Sequence, residues 1–222
     1  MPVEQQMVAG AAAGELVDRG EGPFELARMQ GWGEERTVRA AVLRHLLISE
    51  EWPADARGVR LRGVRISGVL DLQAAALRCP LRLEGCLLNE PAWLDQATAT
   101  VLTITGCHLA GLTGEMLTAK ALDLAGSTLT GPLRLQGAVI AGALSCRGAH
   151  LVGCDNDGNS LVADGITVGG EGVLLDGGFT TAGTVRLFRA QITGALSCGG
   201  ADLAGCDNDG NSLVADGMKV SF

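Results

Sequence analysis

Apolar positions recur along the middle of this chain at intervals of five and six. Leu61, Ile66, Leu72, Leu77, Leu83, Leu88 and Leu94 follow this spacing, and it resumes at Leu124, Leu129, Leu135, Ile140, Cys146 and Leu151. Two residues before each lies a second apolar or small residue: Val59, Val64, Leu70, Ala75, Leu81, Cys86 and Ala92, then Leu122, Ser127, Leu133, Ala138, Leu144 and Ala149. Each short segment therefore points in, out and in, then meets a polar or glycine turn, as expected of a very short strand followed by a corner. Four such sides give a coil of about 22 residues, in which residues one coil apart stack at a strand spacing of about 4.8 Å and bury continuous aliphatic columns. Leu61 over Leu83, and Leu124 over Cys146, are two such columns.

An apolar period of eleven also suits a right-handed coiled coil. Residues 59–151 hold 11 glycines, and at about 1 kcal/mol each in a helix interior they would remove roughly a whole domain's stability. In a solenoid the same glycines sit at corners that want positive φ. A longer repeat lies on top of the short one. Gly142 to Val168 returns as Gly194 to Val220, 52 residues later, with 22 of 27 positions identical. The pattern predicts an all-β solenoid over 57–222, with loop insertions at 153–160 and 205–212.

The first 56 residues read differently, as a helical cap. Glu34 to Glu51 contains no Gly or Pro, and Val38, Ala41, Val42, Leu43, Leu46 and Leu47 form an apolar stripe at helical spacing, ended by Pro53. Residues 3–19 predict a second, weaker helix stopping at Gly20, followed by a turn over Gly20 to Gly22. A helix here is well placed to cover the open strand edge and exposed column end of the first coil. Val220, Ser221 and Phe222 stop inside a repeat, so the C-terminal coil is expected to dock on a second copy and give a homodimer, or to associate indefinitely.

The units AVIAG, AHLVG, AQITG, ADLAG, STLTG and CHLAG resemble the pentapeptide repeat, whose family forms right-handed quadrilateral parallel β-helices. RTVRAAVLRHLL, GVRLRGVRISGVLDL, GALSCRGA and DGNSLVADG are similar to long actinobacterial repeat proteins commonly labelled membrane-associated oxidoreductases, a resemblance running from about Arg36 to Val220. It implies an oxidoreductase, although no residue here is assigned redox chemistry. Such relatives are longer, which implies that Phe222 marks a truncated member and that any membrane association arises through a partner or a missing downstream segment. Gyrase-protecting pentapeptide proteins imply a further alternative, an acidic DNA-mimicking regulator. Here the acidic residues cluster in loops rather than along one face.

Charge narrows the function classes. With 17 Lys and Arg against 25 Asp and Glu, the net charge is -8, so direct nucleic-acid binding through phosphate neutralisation is not expected. The stretch Gln96 to Gly114 is uncharged but carries five Thr and three Gly, too polar for a membrane span. Seven cysteines without a secretory leader point to a reduced, cytoplasmic setting.

Among candidate chemistries, CDNDGNSLVAD at 154–164, repeated at 206–216, most suggests a ligand. Clustered Asp and Asn oxygens around a glycine turn suit Ca²⁺, making Asp155, Asp157 and Asp164, with Asp207, Asp209 and Asp216, calcium candidates. Against the helix-loop-helix calcium pattern, Gly153 occupies the first position where Asp belongs and Asp164 replaces the bidentate Glu. A turn organised by Asn156, Asp157 and Gly158 is the simpler reading. Cys146 and Cys198 fall on inward positions and Cys86 and Cys107 on the accompanying small positions, as small buried hydrophobes. Cys146 with Cys154, and Cys198 with Cys206, lack the close spacing of thiolate metal sites. His108 and His150 occupy outward strand positions and His45 the cap, so no triad is expected. VGGEGVLLDGG at 168–178 lacks the following helix that a dinucleotide loop needs, and Trp32, Trp52 and Trp93 read as packing at the array's end. No catalytic residue or cofactor is assigned. The expected role is a non-catalytic scaffold whose flat faces bind another protein.

Overall fold

The computed structural model describes residues 2–20, 22, 24–52 and 54–221, and over them the chain forms a right-handed parallel β-helix with a small helical N-terminal region. All named strand pairs are parallel. The hydrogen-bonded strands fall into three sheets, of twelve, seven and seven strands. Thr98–Thr105 and Thr118–Asp123 each bend round a corner. The largest sheet therefore covers two adjacent faces, and the solenoid is four-sided.

Register follows the inward columns. On the first face Leu61 pairs with Leu83 and Leu83 with Ile104, and Leu102, Leu122 and Leu144 continue alongside. On the second, Val38, Ile66, Leu88, Leu109, Leu129 and Leu151 stack in turn. The third carries Leu70, Ala92, Leu112, Leu133, Leu161 and Val185. These side chains belong to one buried core that runs from Val3 to Ile192. Residues 95–123, where the five-and-six spacing lapses, hold a strict five-residue register instead. Leu102, Ile104, Cys107, Leu109, Leu112, Gly114, Leu117, Ala119, Leu122 and Leu124 are all buried. Gly114 takes an inward site where its neighbours have Leu, and the side chains of Leu117 and Leu135 close over it.

Two corners show what the turns demand. Between the first and second faces, Gly85, Gly106 and Gly126 stack at φ 55°, 59° and 64°, and their amides donate to the next coil at Thr105, Ala125 and Arg147 carbonyls (2.8–2.9 Å). Inside this corner the small side chains make a hydrogen-bonded ladder. The Cys86 amide donates to Cys107 Sγ (3.2 Å), the Cys107 amide to Ser127 Oγ (3.0 Å), and Ser127 Oγ to the Ile104 carbonyl (2.7 Å). The corner after the third face mixes Gly137, Gly165 and Gly217 with Ala74, Gln96, Met116 and Arg189 at φ 51–58°, a conformation that costs a residue with a side chain about 1 kcal/mol.

The N-terminal region departs from the expected pair of helices. The first helix, Val3–Ala13, ends at Gly14 (φ 65°), and Leu16–Asp18 becomes a strand paired with Arg60, Leu61 and Arg62. A short helix, Leu26–Gln30, precedes the second predicted one, within which Glu34–Arg36 is a single 3-10 turn, Thr37–Arg39 is a strand paired with Arg65–Ser67, and Ala40–Ile48 is helical. The unpaired backbone edge of the first coil captures these two segments, since edge hydrogen bonds outweigh weak helix propensity. Val38 is thus buried as a strand residue and Ala41 is exposed, while Leu43, Leu46 and Leu47 form the buried face. Glu4 of the first helix pairs with Arg39 at the end of the strand Thr37–Arg39 (2.8 Å). The proposed helix stop at Pro53 and part of the turn at Gly20–Gly22 lie outside the described residues. No helix among the described residues is long and apolar enough to cross a membrane.

Candidate functional site

The two copies of CDNDGNSLVAD leave the solenoid at one corner and return on the third face, one above the other. Each departure needs glycine. A Cβ on Gly153 would lie 2.0 Å from the Thr130 carbonyl oxygen, and one on Gly205 2.0 Å from the Ala182 carbonyl group. The first carboxylate of each loop then organises the turn. Asp155 Oδ1 accepts from the amides of Asp157 (3.0 Å) and Asn159 (2.9 Å), and Asn159 Nδ2 donates to both Asp155 oxygens. Asp207 repeats this with Asp209 (3.0 Å) and Asn211 (2.8 Å). Hydrogen bonding from the Asn211 amide holds the Asp207 carboxyl below its ordinary range.

Around these loops the outward residues of the third face are paired by charge. Arg134 reaches Glu115 (3.1 Å) and Asp155 (3.4 Å). Arg186 binds Asp164 (2.7 Å), which also accepts the Phe188 amide (3.2 Å). Between the stacked loops lies a pocket of about 420 Å³, lined by Arg134, Gln136, Asp155, Asp157, Asn159, Arg186 and residues 207–209. Both arginines are already neutralised. What remains unmatched are acceptors. Asp157 and Asp209 are exposed, and their carboxylates have no partner among the described residues. Gln136 Oε1 and Asn159 Oδ1 are buried without a donor among the described residues.

The calcium candidates therefore divide. Asp155 and Asp207 are held inside their own turns, Asp164 is committed to Arg186, and Asp157 and Asp209 face outward. Asp216 lies at the next corner, where its carbonyl accepts the Arg189 amide. Among the described residues no three His, Cys, Asp or Glu side chains come together as a metal-holding group. The sequence pattern reveals the turns, but not Gln136 and Asn159, whose unmatched oxygens depend on which coil stacks above.

Other singled-out residues find structural partners. Cys79, Cys86, Cys107 and Cys146 are buried, and burial pushes the Cys146 thiol up to about 12. Cys198, expected to be buried by its inward register, is exposed, because coil 195–221 has no further coil stacked on it among the described residues. His108 Nε2 contacts the Phe24 carbonyl (3.2 Å), and His150 Nδ1 the Thr180 hydroxyl (2.9 Å). Gly172–Leu174 is a strand, so the glycine-rich segment is part of the array. Trp32 packs edge-on against Phe24 and Trp52 against His45. Trp93 instead points outward on the third face, 37% exposed, since position 93 lies between inward Ala92 and Leu94. No family model, no curated protein and no solved structure matches this chain.

Proposed function

We propose that this chain is a non-catalytic scaffold that binds another protein through the face carrying the duplicated loops. The reading rests on the pocket between them, where the exposed Asp157 and Asp209 carboxylates have no partner among the described residues while the neighbouring arginines are paired. A Lys or Arg side chain from a partner supplies donors and charge together, and about 420 Å³ accommodates one such side chain. The flat, rigid third face, with Trp93 exposed three coils away, gives that anchor a wider docking surface. Seven unpaired thiols agree with a cytoplasmic setting.

The test is affinity capture with the full chain and with Asp157→Asn/Asp209→Asn, followed by titration of the captured protein. The double variant should weaken binding about tenfold or more and flatten its salt dependence. Equal binding by both forms would contradict the assignment.

A second interface rests on coil 195–221. Leu213 and Val220 are 45% and 42% exposed, and we propose that a second copy covers them to form a homodimer. Concentration-dependent light scattering tests this, and a single-chain mass at every concentration would refute it.

A further inference from the structure

On the first face, opposite the acidic loops, arginine is stacked on arginine. Arg60 pairs in register with Arg82, and Arg82 with Thr103. Neighbouring parallel strands lie about 4.8 Å apart, and like charges directly opposite each other destabilise a sheet. The adjacent column shows the usual remedy, with Arg62 bonded to Glu84 (3.3 Å) and Asp18 (3.6 Å). The Arg60 column has none. Arg60 makes one long contact to the Gly14 carbonyl (3.4 Å), and Arg82 is exposed with no partner among the described residues. Arg57 approaches from the preceding loop, bonded to Asp55 (2.9 Å).

These three arginines border a cleft of about 390 Å³ whose other walls include Pro80, Val101 and Thr103. The surrounding segment is itself basic, with six arginines over residues 57–82 against Asp71 alone, in a chain of net charge -8. Uncompensated, in-register guanidiniums match a ligand with more than one negative charge, and the planar fork of Arg fits phosphoryl oxygens in bidentate fashion. Pro80 and Val101 offer an apolar surface to whatever carries the anion.

We propose that this cleft binds a phosphate monoester attached to an apolar or aromatic body. The site is independent of the acidic-loop interface. Two sources share this chemistry, a free small molecule and a phosphorylated side chain of another protein.

Calorimetric titration of the full chain at low ionic strength tests the proposal, with phenyl phosphate, inorganic phosphate, benzoate and a short phosphotyrosine peptide as probes. Phenyl phosphate should bind about tenfold more tightly than inorganic phosphate or benzoate, and Arg82→Ala should weaken it by at least about tenfold. Arg82 is exposed, so the variant should keep the parent's circular dichroism. Arg189→Ala, whose guanidinium lies over the Phe188 ring at another corner (4.9 Å), should bind as the parent does. Tighter binding of the peptide than of phenyl phosphate would assign a protein source, and equal or weaker binding a small molecule. No measurable binding of any probe, or undiminished binding by Arg82→Ala, would overturn the proposal.

Discussion

Residues 142–168 and 194–220 are nearly the same sequence in two different surroundings. In the first copy Leu161 and Val168 are fully buried, and Cys146 and Asn159 are inside. Their counterparts Leu213 and Val220 are nearly half exposed, and Cys198 and Asn211 are at the surface. The strand Asn159–Val162 is buried on both sides because the second loop lies over it, with Asp207 against Gly158. Direction is a property of the local pattern, whereas burial in a solenoid belongs to the neighbouring coils.

The sharpest way to break this comparison is to charge the same column twice. Leu161→Asp places an unpaired carboxylate in the closed core, at a cost of several kcal/mol, and should abolish soluble expression. Leu213→Asp should cost about 1 kcal/mol or less and leave a folded protein. Circular dichroism and thermal melting of both variants decide the point, and equal damage would mean that coil 195–221 is packed like an interior one.

Thiol labelling compares the copies without altering the core. At pH 8 Cys198 should react at least about a hundredfold faster than Cys146, whose buried thiol ionises near 12. Single-cysteine variants read by mass spectrometry measure both rates. Comparable rates would contradict the assigned burial.

The sequence pattern made the inward columns, the corner glycines and the duplicated loops legible, because period and turn chemistry are local. It misled at Thr37–Arg39, where a helical stripe continues through residues that the first coil's open edge draws into a strand. It also lapsed across 95–123, where Gly114 in an inward position hides a strict five-residue period. Of the candidate site, the Asp155 and Asp207 turns were legible. The unmatched oxygens of Gln136 and Asn159 were not, nor was the Arg60–Arg82 stack until the coil register was fixed.

A smaller effect is expected at the corner that the copies share. Gly165 and Gly217 have φ 66° and 68°. Gly165→Ala should lower global stability by about 1 kcal/mol. Gly217→Ala carries the same local strain but should only fray coil 195–221, leaving the denaturant midpoint of the rest unchanged. Urea unfolding followed by circular dichroism distinguishes the two.

The smallest effect concerns acid. The folded Asp207 carboxyl titrates below its unfolded value of about 4. Its contribution is therefore fully present above that value and is lost as pH falls through the lower, folded one. The second loop should loosen over that interval, seen as a change in the Asn211 amide resonance. Asp207→Asn, which still offers a turn acceptor, should remove the pH step.

Amide hydrogen exchange resolved to peptides from 142–168 and 194–220 tests most directly whether stacking, rather than sequence, sets burial. It should be run at a concentration where light scattering gives the mass of one chain. The first segment should exchange only through global unfolding, and the second through local opening that is faster by at least about a hundredfold. Equal protection of the two copies in the single chain would contradict the account.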